Sequence, residues 1–143
     1  MGLKQAELAQ FLIEKAEQYA QKSFVEDDPI QIPHRFEHPR DIEVSGLLAA
    51  TLSWGNRTTI IAKSTELISR MDERPGDFIA EASASDLRSL DGFKHRTFQD
   101  ADLKGIVLAL QQLYKEYDSI GDFFSQHLAA DSTDLGPAFL AFK

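Results

Sequence analysis

"DIEVSGLLAATLSWGNRTTIIAKSTELISRMD", residues 41–72, decides the fold. From Ile42 to Trp54 it is apolar nearly all round, Glu43 apart, which predicts a buried helix. Asp41 is placed as its N-cap. Gly46, Ala49, Ala50 and Ser53 give it a side of small residues where a neighbouring helix backbone can come close, and Gly46 to Leu52 are expected to be fully buried. Gly55 is a stop signal. Asn56 or Thr58 then caps a second helix, whose apolar face is Ile60, Ile61, Leu67, Ile68 and Met71.

The flanking sequence is read in the same way. Leu8, Phe11, Leu12, Ala16 and Tyr19 recur at steps of three and four and predict an amphipathic helix over residues 4–22. Three prolines then fall between Pro29 and Pro39. They remove backbone donors and bias their predecessors away from helix, so residues 23–40 read as a long ordered loop. Pro75 opens a short helix. Ser83 or Ser85 caps another turn, and "DGFKHRTF" reads as loop. A long helix is expected from Asp100 to Tyr117, followed by one capped by Asp118 or Ser119 and by the start of another at "AFLAFK". The expectation is an all-α fold of six or seven helices in a compact orthogonal bundle, one domain over residues 1–143. The apolar C-terminal segment, with Phe139 and Phe142, suggests a fragment of a longer protein or self-association.

The chain has 143 residues, 43% of them hydrophobic and 27% charged, the balance of a globular protein with a real core. It has no cysteine, which rules out disulfides, thiol nucleophiles and cysteine-ligated metal within these residues. No apolar run is long enough to span a bilayer, and the N-terminus lacks a signal-peptide pattern, so the cytoplasm is the default location. A net charge of −8 excludes a generic polyanion binder. The distribution is uneven. Acid exceeds base in residues 1–30, 64–93 and 94–143, and base exceeds acid in residues 31–63. That basic stretch contains "IPHRFEHPRDIEVSGLLAATLSWGNR", residues 32–57, with two histidines and three arginines.

"DDPIQIPHRF", "DIEVSGLLAATLSWGNR" and "FKHRTF" resemble, in that order, the signature blocks of an uncharacterised bacterial family catalogued as a domain of unknown function. The resemblance runs from about Phe24 onward. More distantly, "GLLAATLSWGNRTTIIAKSTELISRM" is similar to the early helix pair of the helix-hairpin-helix DNA glycosylases. There an apolar helix ends in a Leu-Ser-Ala-Gln type turn beside the substrate groove, a place taken here by Leu52, Ser53, Trp54, Gly55 and Asn56. The resemblance implies the N-terminal part of such a fold, a role in DNA repair, and Trp54, Asn56 and Arg57 near DNA. The hairpin motif, catalytic aspartate and lysine of those enzymes match nothing in residues 1–143, so no catalytic role is assigned and enzymatic activity stays open. The alternative is a non-catalytic helical binding or regulatory domain.

The candidate binding residues are therefore His34, Arg35, Trp54, Asn56, Arg57, His95 and Arg96. An indole can stack on a base, an asparagine can read a base edge and arginines can hold phosphates. The same residues can instead be a core anchor, a turn and ion-pair partners for Asp27, Asp28, Asp41 or Glu43. Lys94-His95-Arg96 can likewise face an anion or pair with Asp91, Asp100 or Asp102. His34 and His38 lack a third ligand, so no metal is expected, and no cofactor. Glu43, if buried, needs an arginine partner or a shifted pKa. DNA is the expected partner, bound weakly by this chain alone, with no membrane. His127 is placed on a solvated helix face.

Overall fold

The structure, a computed structural model, describes residues 5–142. Among them eight α-helices and one small hairpin form an all-α fold: α1 Gln5–Tyr19, α2 Lys22–Glu26, α3 Pro39–Leu52, α4 Arg57–Ser69, α5 Pro75–Glu81, α6 Asp100–Leu113, α7 Ile120–Gln126 and α8 Gly136–Ala141. No helix of the described residues is long and apolar enough to cross a membrane.

α3 is the central element, packed on α4, α5 and α7. Its Val44, Leu48 and Leu52 enter one core with Leu67 of α4, Met71 just after it, Ile79 of α5, Leu90, Phe93, and Leu103, Val107 and Leu110 of α6. Ile32, Ala49 and Ile68 form a second, smaller cluster with Phe36 on its rim. Burying each such Val, Leu, Ile, Met or Phe side chain contributes about 1.5–3 kcal/mol before entropy is counted.

The expected full burial of Gly46 to Leu52 holds only in part. Leu48, Ala49 and Leu52 are buried, Gly46, Leu47 and Thr51 are half-buried, and Ala50 is exposed. The small-residue side meets Pro33 rather than a helix; a Cβ on Gly46 would sit 3.7 Å from the Pro33 Cβ. The close helix contact lies elsewhere. Gly76 in the first turn of α5 comes so near the start of α3 that a Cβ there would lie 2.8 Å from Arg40 Cβ and 3.1 Å from its backbone carbon.

Residues 23–40 are more regular than a loop. After α2 come two single 3₁₀ turns, Pro29–Gln31 and Pro33–Arg35, and α3 begins at Pro39. Each of the three prolines opens a turn or helix, where its fixed φ fits and its missing N–H is not needed. α3 thus starts before Asp41, which is not the N-cap. Asp41 instead accepts a hydrogen bond from the Gly76 backbone N–H at 2.7 Å and fastens α5 to α3.

Glu43 needs no arginine. Its carboxylate accepts the N–H groups of Ile120 at 3.0 Å and Gly121 at 3.1 Å, which are orphan donors at the start of α7. Ser119 caps the same helix by accepting from the Asp122 N–H at 2.9 Å. α6 ends at Leu113, short of Tyr117, and starts with a capping box between Gln99 and Asp102. His127 is not on a solvated face. It is half-buried at the end of α7, stacked on Phe123 at 4.2 Å. Phe142 packs edge-on against Phe123, whereas Phe139 stays 57% exposed. α1 forms as expected, yet none of its residues is buried.

The segment read as loop contains two short strands, β1 Lys94–His95 and β2 Phe98–Gln99, paired antiparallel with Lys94 opposite Gln99 and His95 opposite Phe98. Two residues per strand leave no alternation for a sequence pattern to show.

Candidate functional site

The turn from α3 to α4 meets the β1–β2 hairpin, and the two make a polar, aromatic edge. Ser53 ends α3, its hydroxyl donating to the Ala49 carbonyl at 2.7 Å. The Trp54 N–H bonds the Leu52 carbonyl at 2.8 Å, which folds the chain sharply outward. Gly55 follows at φ +121, a conformation L side chains rarely adopt. Asn56 then caps α4, its side-chain oxygen accepting the Thr59 N–H at 3.2 Å. As a cap, Asn56 is engaged by its own helix.

Trp54 is 40% exposed although it is the chain's single tryptophan. It is held from the side by His95, edge-to-face at 5.9 Å and 87°. Above it lies the Arg96 guanidinium, 5.6 Å from the ring centre. The same guanidinium fills the space a side chain at Gly55 would need; a Cβ there would sit 2.5 Å from Arg96 Nη2. Glycine at 55 therefore serves both the turn and the seating of Arg96. Arg96 itself has φ +57, a left-handed conformation that costs a non-glycine residue about 1–2 kcal/mol. His95 is buried at 2% exposure, and its Nε2 has no hydrogen-bond partner among the described residues.

Trp54, His95 and Arg96 are thus brought into direct contact. Arg57 stands just beyond on the first turn of α4, its side chain 56% exposed. It faces back toward α2, 3.6 Å from the Asp28 carboxylate and 5.9 Å from the centre of the Phe24 ring. Arg35 lies against α4, donating to Thr65 Oγ1 at 3.0 Å. His34 is exposed on the same 3₁₀ turn as Arg35.

The acids expected to neutralise Lys94 and Arg96 are occupied. Asp91 pairs with Lys104, Asp100 accepts the Gly92 N–H at 2.8 Å, and Asp102 accepts the Gln99 N–H at 2.9 Å. The Gly92 bond, ahead of any charge, holds the Asp100 carboxyl below its usual range. Of the arginines in residues 32–57, Arg57 alone forms an ion pair among the described residues. The concentration of arginines there is not explained by structural pairing with carboxylates.

Sequence reasoning missed Phe93, whose ring lies under Lys63 at 5.5 Å and Arg70 at 5.8 Å. Arg70 also bonds Glu66 at 2.8 Å and the carbonyls of Ser89 and Asp91, tying α4 to the segment before the hairpin. Hydrogen bonding from Lys63, then from Arg70, keeps the Glu66 carboxyl below its ordinary range despite some burial. The Glu66–Arg70 spacing of four was the available signal. Among the described residues no group of three or more histidines and carboxylates is placed to hold a metal ion.

These features define a helical protein with an aromatic, cationic edge at one helix–turn–helix junction. Residues 28–143 match the family model described as Protein of unknown function (DUF2400), and the chain belongs to that family. Comparison with curated proteins and with solved structures found no match.

Proposed function

We propose that the chain is a DNA-contacting helical domain of the DNA-repair glycosylase type, with the Trp54–Arg57–Arg96 edge as its contact surface. The seating of Trp54 carries this reading: a half-exposed indole, braced by a buried histidine and topped by an arginine whose expected acidic partners are bound elsewhere. An indole face can stack an unpaired base, and neighbouring guanidinium groups can hold the flanking phosphates. The similarity of residues 52–56 to the groove-side turn of the helix-hairpin-helix glycosylases supports the same role. His34 and Arg35, on the 3₁₀ turn before α3, are the further basic residues this reading assigns to contact.

The single tryptophan makes a direct test possible, because all tryptophan emission comes from Trp54. A single-stranded oligonucleotide at low salt is expected to quench it. If two phosphates are neutralised, log K should fall against log salt with a slope of about −1.4. Arg96→Gln should bring that slope to about −0.7. Emission that does not respond to oligonucleotide at low salt excludes this role.

A binding or regulatory domain without nucleic acid is the second reading, favoured by the net charge of −8 and by an apolar cavity. The cavity, of about 480 Å³ and lined by Leu47, Ile106, Leu113, Tyr117 and Phe142 among others, is in the size range of small-ligand sites.

A further inference from the structure

Arg40 sits at the opposite end of α3 from Trp54, about 20 Å away at 1.5 Å per residue. It occupies the first turn of that helix, where the dipole disfavours a cation. It is nevertheless half-buried and fixed. Its Nε donates to the Asp118 carbonyl at 2.6 Å, and its guanidinium lies 5.2 Å from the centre of the Tyr114 ring. The carboxylates beside it in sequence are used elsewhere, Asp41 on the Gly76 N–H and Glu43 on the start of α7. The two terminal nitrogens of Arg40 have no hydrogen-bond or ion-pair partner among the described residues.

Arg40 lines a hollow of about 520 Å³ between α3, α5 and the end of α6. Gln111, Gln112, Tyr114 and Lys115 also line it, and Leu108 and Ala80 supply apolar surface. Among the described residues no carboxylate lines it. In a chain of net charge −8 the hollow is lined by two cations, while Glu43 and Asp41 act on Tyr114 from outside the lining. The Tyr114 hydroxyl is buried without a hydrogen-bond partner among the described residues, and burial, then the Glu43 charge, pushes its pKa up to about 12, so it keeps its proton at neutral pH.

We propose that this hollow binds a small organic oxyanion, with the phosphate or carboxylate held between Arg40 and Lys115 and the apolar body against Leu108 and Ala80. The volume is in the range of small-molecule sites and larger than a bare ion needs. A guanidinium already oriented at Nε loses little freedom when its outer nitrogens take up a planar or tetrahedral oxyanion. This site is separate from the Trp54 edge, so either can fail without the other.

The test is a titration of the nitrogen-15-labelled chain by NMR, with phenyl phosphate in one arm and phenylacetate in the other. Saturable shifts of the Arg40 Nε–H and of the Gln111–Lys115 amides are expected in one arm, which assigns phosphate or carboxylate. Inorganic phosphate should bind at least about tenfold more weakly than phenyl phosphate, a difference of about 1.4 kcal/mol. Lys115→Gln should weaken binding by a similar factor. Among the described residues its ammonium donates only to Gln112, so this variant is expected to fold even where Arg40→Gln, which loses the Asp118 bond, does not. Absence of saturable shifts in both arms overturns the proposal. So does Lys115→Gln binding the probe as the parent does, or inorganic phosphate binding as tightly as phenyl phosphate.

Discussion

Arg96 is the residue at which stability and the proposed contact oppose one another. Its left-handed backbone is a cost that a glycine would not bear. Its side chain, on the other hand, covers Trp54 and occupies the space above Gly55. Arg96→Gly is therefore expected to hold or raise stability by up to about 1 kcal/mol in urea denaturation while weakening oligonucleotide quenching of Trp54. If the variant loses stability by more than that, the Arg96–Trp54 contact is chiefly structural. Gly55→Ala tests the same junction from the other side. It forces a side chain onto φ +121 and into Arg96, so a loss of about 1–3 kcal/mol is expected, of which Arg96→Gly in the same chain restores only the steric part. Full recovery in the double variant would show that the backbone of residue 55 is not strained.

Among the helices, α3 was the most legible in the sequence and also the most misleading. Its apolar run and the Gly55–Asn56 punctuation located the α3–α4 pair, because stop signals and caps act through the local backbone. Its neighbour across the small-residue side was misjudged, because a run of Gly and Ala records room without recording what fills it. Pro33 fills it, loosely, whereas the tight contact falls on Gly76, which nothing but its place after Pro75 distinguishes. The roles of Asp41 and Glu43 were equally out of reach. Each caps or anchors a helix more than thirty residues away, and no local pattern encodes such a partner. The candidate site was legible as a set of residue types. The contact of His95 and Arg96 with Trp54 depended on a hairpin too short to leave a signature. The glycines give the sharper check. Gly46→Ala meets Pro33 only at ordinary contact distance, and alanine favours the helix by up to about 1 kcal/mol, so a neutral or stabilised protein is expected. Gly76→Ala should instead cost about 1–3 kcal/mol, since Arg40 backbone cannot move without shifting α3. Equal melting temperatures for the two variants would mean that α3 and α5 are not in close contact.

On the scale of the whole molecule, Tyr114 joins the parts that hold the bundle closed. It follows the last residue of α6, Arg40 of α3 lies over its ring, and Glu43, whose charge it feels, anchors α7. Burial is the main cause that raises its pKa to about 12, with Glu43 next and Arg40 opposing. A tyrosine in the unfolded chain releases its proton near pH 10. Below about pH 10 both states are protonated and the folded state keeps its full stability. Between about pH 10 and 12 the unfolded chain gives up the proton that the folded chain retains, so stability falls as pH rises through the folded value. The ring is only half-buried, so the size of the fall is reduced by solvent. Growing negative charge on a molecule already at −8 adds a decline of its own through self-repulsion. Tyr114→Phe separates the two effects. It removes the titrating hydroxyl, which has no hydrogen-bond partner among the described residues, and should leave stability near pH 8 unchanged or slightly raised. Denaturant unfolding of parent and variant at about pH 8, 10 and 11.5 should show the parent falling faster above pH 10. Parallel curves would mean that the hydroxyl is not buried and that α3, α6 and α7 do not close over it.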